Sequence, residues 1–272
     1  MLRFPPRRIL AAVDPSEVSL RAWRAARLAA ERFGASLDAV YCDNLPPPEM
    51  AAYIPPAGAD ARRRLDTVEY LRRRMGPHAR LRAVVGDPVR VLVRLARERR
   101  YDLIVLGSHR RDGFARWLLG STAEAVVRDA PCPVLIVPAA MHPIRRVLAP
   151  INESDYARKS LLAAGLVARA LQARLKVLTV VTDPIFGMNP SKLLKTRIAE
   201  LPADVVRDVK PEGEVRDSDP IRSILRASRG CDLVVLASHR KSLLGDFVLG
   251  TTVERVLRHS RAPVLAIPTG RR

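Results

Sequence analysis

Residues 101–138, YDLIVLGSHRRDGFARWLLGSTAEAVVRDAPCPVLIVP, return at 231–268 as CDLVVLASHRKSLLGDFVLGTTVERVLRHSRAPVLAIP. Asp102 aligns with Asp232, His109 with His239, Gly120 with Gly250 and Pro133 with Pro263, each pair 130 residues apart and without a gap. The starts of the copies also match: RRILAAVDPSEVS at 7–19 resembles RRVLAPINESDYA at 145–157, at a spacing of 138. The second copy is therefore eight residues shorter in its middle. Two homologous domains follow, 1–139 and 143–272, with a linker near Ala139 to Pro143. The period is too long for a solenoid repeat.

Working outward from the quoted stretch, 103–106 and 233–236 are unbroken Leu/Val/Ile runs. Such runs mark strands buried on both faces, as in parallel sheets. Apolar runs at 9–13 and 147–150 open the copies, and 37–42 and 175–181 follow them. Helices are expected at about 17–33 and 155–171, with Ser16 and Ser154 as N-caps. A Pro-rich stretch, NLPPPEMAAYIPPAG, leads to a further helix at about 60–75. The second copy has a shorter connection there. A strand around 81–85 precedes Asp87-Pro88, a strong helix start because Pro suits the first helical position, and Asp219-Pro220 repeats it. A last helix and a last strand, 134–137 or 264–267, close each copy. This alternation predicts an α/β fold: two tandem doubly wound domains, each with a five-stranded parallel sheet.

In such sheets ligands sit beyond the carboxyl ends of the strands, at the switch point of strand order. Asp14 follows the first strand there, and Gly107-Ser108-His109 follows the fourth. Gly120-Ser121-Thr122 opens the next helix, whose free N–H groups can receive a phosphate while the two hydroxyls add donors. A Gly-Ser before a helix also reads simply as a cap, and the strand, turn and helix order is what favours a ligand.

Val13, Asp14 and Ser16, the Gly86–Pro88 step, GSHRRDG at 107–113 and LLGSTAEAVVRDAPCPVLIVP at 118–138, with their partners in the second copy, resemble the universal stress protein family in its tandem form. The resemblance covers about 7 to 268. It implies a Rossmann-like fold of the adenine-nucleotide-hydrolase type and, in members that bind ATP, a Gly-x2-Gly-x9-Gly-Ser/Thr phosphate loop with an Asp after strand one. Carried over, Gly107, Gly120 and Ser121 fit the loop, and Asp14 fits the position contacting ribose and base. Cys42 stands where the family often presents Val to adenine. Val13, Gly86, His109 and Thr122 complete the implied set, and Arg110 joins the candidates through its charge alone. The implied ligand is ATP or a related adenine nucleotide, with room for magnesium beside it.

The chain also departs from that pattern. Arg110 replaces the second loop glycine. In the second copy Ala237 and Arg240 replace both loop glycines, Asn152 replaces the Asp, and Ser218 replaces the Gly of the Gly-Asp-Pro step. Arg forced to positive φ would be strained by roughly 1 kcal/mol or more, so the loop is expected to change shape. Arg110 either forks onto an anionic ligand or points to solvent. At most one nucleotide per chain is expected, in the first copy. The closing strands, at the sheet edge by resemblance, are apolar. They are expected to pair as a pseudo-dimer within the chain, with two chains then free to associate, because an exposed apolar edge is a liability.

The 272 residues are 48% hydrophobic and 28% charged, an ordinary globular composition, with a formal net charge of +19. Of the 47 basic residues 41 are Arg, scattered over the chain as a GC-rich genome would leave them. Arg62–Arg64 and Arg72–Arg74 share one expected helix and allow weak polyanion binding, but nothing suggests sequence-specific nucleic-acid recognition. No apolar run approaches the roughly 18–20 residues that span a bilayer. The N-terminal MLRFPPRRILAAVDPSE is broken by Asp14-Pro15 and lacks a full signal-peptide core. Three cysteines (Cys42, Cys132, Cys231) form neither a disulfide framework nor a zinc motif, so a cytoplasmic setting is expected. His109 and His239 lack companions with ligand spacing, and no Gly-x-Ser-x-Gly elbow or Gly-x4-Gly-Lys-Ser/Thr loop occurs. The expected function is thus a nucleotide-responsive regulatory protein and not an enzyme, with slow ATP hydrolysis left open. The alternative is a dimeric scaffold that binds no nucleotide and acts through protein partners.

Overall fold

The doubled pattern folds as doubled architecture in the computed structural model, which describes residues 4–44, 59–108, 120–138, 141–181, 189–238, 240–243 and 246–269. The first copy runs β1 (Arg8–Val13), α1 (Glu17–Phe33), β2 (Ser36–Asp43), α2 (Ala59–Met75), β3 (Leu81–Val85), α3 (Pro88–Glu98), β4 (Leu103–Gly107), α4 (Ser121–Asp129) and β5 (Val134–Val137). The second runs β6 (Arg146–Ile151), α5 (Asp155–Leu171), β7 (Arg174–Val181), α6 (Pro190–Ala199), α7 (Ala203–Val209), β8 (Glu212–Asp217), α8 (Pro220–Ser228), β9 (Leu233–Ser238), β10 (Arg240–Leu243), β11 (Asp246–Leu249), α9 (Thr251–His259) and β12 (Val264–Pro268). Where one copy uses the single helix α2, the other uses two short ones. Pro202 stands at the N-cap of α7, where it cannot continue the preceding helix.

Within each copy the strands are parallel and ordered β3-β2-β1-β4-β5, or β8-β7-β6-β9-β12. The two sheets are not separate. β5 and β12 pair antiparallel, Val264 opposite Ile136 and Leu265 opposite Leu135, which makes one ten-stranded mixed sheet. The expected pairing of the closing strands is therefore present within the chain, and the expected two sheets are two halves of one. Each apolar edge is covered by the other, which removes the unpaired backbone row that would invite foreign strands.

Helices cover both faces. One apolar layer joins α1, α2, α5, α6 and α7 to the sheet and runs through both copies, from Leu20 and Trp23 to Leu161 and Val205. The opposite layer holds α3, α4, α8 and α9. The caps form as their residues dictate. Ser16 and Ser154 accept the backbone N–H of Ser19 and Ala157 (3.2 and 3.3 Å), and Asp87 and Asp219 accept those of Arg90 and Arg222 (2.8 and 2.7 Å). The repeated Asp102 and Asp232 are staples. Each takes two backbone N–H groups at the start of the copy, from Arg7 and Arg8 (2.8 and 3.0 Å) or Arg145 and Arg146 (2.8 and 2.9 Å). Among the described residues no helix is long and apolar enough to cross a membrane.

Candidate functional site

The switch point of the first copy lies between β1 and β4, which are registered Ala11 to Val105. Val13 and Gly107 thus end at the same edge of the sheet, and the turns after them supply the site. Val13 is buried at 4% exposure, so its side chain belongs to the core. Asp14 is half-buried. Its Oδ1 accepts the Ser16 N–H (2.8 Å), and its own N–H donates to Ser19 Oγ (2.7 Å). These bonds fix Asp14 in the turn that leads into α1, and Oδ2 has no partner among the described residues.

Gly107 is explained first by packing. A Cβ there would come within 2.8 Å of Val18 Cγ1 and 2.9 Å of the Val18 carbonyl oxygen, so glycine lets the first turn of α1 lie directly on β4. The neighbouring Ser108 is buried and donates its N–H to the Val137 carbonyl (3.1 Å). Gly120 is different. Its φ of −62° suits any residue, and a Cβ would meet nothing within 4 Å. It forms the N-cap of α4 and, as glycine, has no side chain of its own to bond the first turn, while Ser121 and Thr122 are exposed. Among the described residues no side chain caps the first N–H groups of α4, the kind of helix start that can receive an anion.

Two more expected residues lie along the same edge. Cys42 is half-buried near the end of β2, registered with Val84 of β3. Burial and, after it, the charge of Asp87 push its thiol up to about 11, so it stays neutral and acts as a small apolar wall. Gly86 adopts φ of +138°, open to glycine at little cost, and donates its N–H to the Asp43 carbonyl (3.0 Å). His109 and Arg110 lie outside the described residues. Reasoning from sequence passed over Asp43, one residue beyond Cys42. It is buried at 4% exposure and holds Arg64 Nε at 2.6 Å and Arg63 Nη2 at 3.7 Å. A lone carboxylate ending an apolar strand was the available signal. Arg74, in the same basic helix, pairs with Glu17 and bonds the Tyr70 hydroxyl (2.8 Å), so several of its arginines are already engaged.

The second copy repeats the scaffold but not the chemistry. Asn152 is exposed and its Oδ1 accepts both the N–H and the hydroxyl of Ser154 (3.1 and 2.6 Å). Gly250 caps α9 without a side-chain bond, as Gly120 caps α4. Ser218 is not among the positive-φ residues, so the turn at Gly86 has a different backbone here. Among the described residues no three His, Cys, Asp or Glu side chains gather as metal ligands.

The sequence profile of the universal stress protein family matches residues 6–138 and again 143–268. The chain belongs to the universal stress protein family. A universal stress protein of Methanocaldococcus jannaschii is 30% identical over 141 residues, covering 48% of this chain and 81% of that one. One of Mycobacterium tuberculosis is 28% identical over 199 residues, covering 67% of this chain and 66% of that one. Among solved structures, a universal stress protein from Archaeoglobus fulgidus superposes with a TM-score of 0.74 at 22% identity, covering 98% of this chain and all of that one. That likeness extends over both family domains and confirms their joint α/β fold.

Proposed function

We propose that this universal stress protein is a regulatory binding protein that holds one adenine nucleotide, ATP or a close relative, in its first copy. The observation that carries this reading is the N-terminus of α4, which no side chain caps among the described residues. It has open space at Gly120 and lies on the edge where Asp14 ends β1. In this reading the N–H groups and hydroxyls of Ser121 and Thr122 take the phosphates, helped by the positive end of the helix dipole. Asp14 Oδ2 accepts a ribose hydroxyl in a charge-assisted bond, roughly twice as strong as a neutral one. Cys42, with Gly86 beside it, lines the base end. The second copy offers Asn152 in place of the carboxylate and has no charge for this bond. The reading assigns no catalytic step. The protein acts in the cytoplasm, by changing its contacts with partners when nucleotide is held.

A scaffold without nucleotide is the competing reading, favoured by one observation: close packing on Val18 already accounts for Gly107 without any ligand. Mass and absorbance analysis of material released from freshly purified protein separates the two. Nucleotide binding predicts an adenine chromophore of matching mass. Protein that releases none and fails to take up added ATP is a scaffold.

A further inference from the structure

The antiparallel pairing of β5 with β12 sets α4 beside α9, and among the described residues one ion pair crosses the boundary between the copies. Arg258 Nη2 of α9 donates to Glu124 Oε2 of α4 at 2.7 Å, with the side chains 31% and 25% exposed. The same guanidinium holds Glu254 Oε1 through Nε at 3.0 Å. Glu124 is the acidic residue of the first turn of α4, whose N-cap is Gly120. Its place in that first turn puts its charge within reach of the field at the end read above as the phosphate site. An unneutralised carboxylate there would occupy the same positive field that an incoming phosphate needs.

We propose that Arg258, supplied by the second copy, is a positioning residue for the nucleotide site of the first: it cancels the charge of Glu124 and leaves the α4 terminus to the ligand. This rests on the reading of α4 as the phosphate-receiving helix. It gives the second copy a part in binding although its own site lacks the Asp. The repeat makes the arrangement available, since TAEAVVRDA at 122–130 and TVERVLRHS at 252–260 both carry Glu and Arg four residues apart.

Titration of the full chain with ATP, in a double-mutant cycle, tests it. Arg258→Ala weakens ATP binding about three- to tenfold at low salt, as expected for one unscreened charge near a surface site, and less at high salt. Glu124→Gln moves the other way and tightens binding, because no carboxylate then competes at the start of α4, while Arg258 keeps Glu254 as its partner. The double variant returns to near the wild-type affinity, and Arg258→Lys retains it. A merely structural pair would give a different pattern, with both single variants less stable in urea and ATP affinity unchanged. Unchanged affinity in Arg258→Ala, or equal weakening in Glu124→Gln, overturns the proposal while leaving the nucleotide site standing. A wild-type chain that binds no ATP at all overturns both.

Discussion

At Gly107 a single methyl would stand 2.9 Å from the Val18 carbonyl oxygen, whereas at Gly120 it would stand in open space. The two glycines share one motif and answer to different physics. Gly107→Ala is expected to cost about 1–3 kcal/mol of stability, the usual range for overpacking, because backbone and not a flexible chain end must give way. Gly120→Ala should cost no more than about 1 kcal/mol, the difference between good and poor caps, yet weaken ATP binding by crowding the phosphate approach. Urea denaturation together with ATP titration of both variants checks this; an unaltered Gly107→Ala midpoint refutes the packing explanation. A second residue prediction concerns Tyr101, whose hydroxyl donates to buried Asp38 at 2.6 Å. Burial first, then this bond, pushes the phenol up to about 12. The unfolded phenol titrates near 10, so the neutral form is favoured by the fold. Its contribution is complete below about pH 10 and is lost as the pH rises toward 12. Tyr101→Phe, which strands the Asp38 carboxylate, should be less stable at neutral pH by about 1–3 kcal/mol and lose less between those limits. Equal alkaline slopes in the two proteins would exclude the assignment.

Elements were legible where local chemistry and the repeat agreed. The Ser and Asp caps, the Pro at N1 of α3 and α8, and the strands of the quoted stretch form as their residues indicate. Differences arise where the copies diverge. The strands β10 and β11, pairing Arg240 with Leu249 antiparallel, were not expected from the sequence, and they form a separate two-stranded sheet. The Gly-Asp-Pro step shows the same effect in one residue: Gly86 at φ +138° and Ser218 outside the positive-φ region precede equivalent Asp-Pro helix starts. Gly86→Ser should therefore cost about 1–3 kcal/mol of strain, and Ser218→Gly only about 0.5–1 kcal/mol of backbone entropy. Thermal denaturation of the two variants compares them, and equal losses would mean that the backbones do not differ. Of the site, Asp14, Gly86 and Gly120 stood out because each serves a backbone need or a ligand, whereas Asp43 and Glu124 acquire meaning only from partners distant in sequence, Arg64 and Arg258.

Over the whole molecule the apolar layer under α1 and α5 is continuous, and Leu135 and Val137 share it with Leu265 and Ile267 across the β5–β12 seam. The copies should not unfold independently. Scanning calorimetry is expected to show one cooperative transition, and two separated transitions would show that the seam contributes little. The seam was foreseeable from apolar closing strands, but the ion pair over it was not, because only the antiparallel pairing brings α4 and α9 together. The same symmetry equips both halves with a helix terminus at the switch point and only one of them with a carboxylate, Asp14 against Asn152. Isothermal titration with ATP measures that asymmetry most directly. The expected result is one nucleotide per chain, about fivefold weaker in Asp14→Asn for a loss of about 1 kcal/mol, and unchanged in Asn152→Ala. Two equivalent sites per chain, or binding abolished by Asn152→Ala and indifferent to Asp14→Asn, would contradict it.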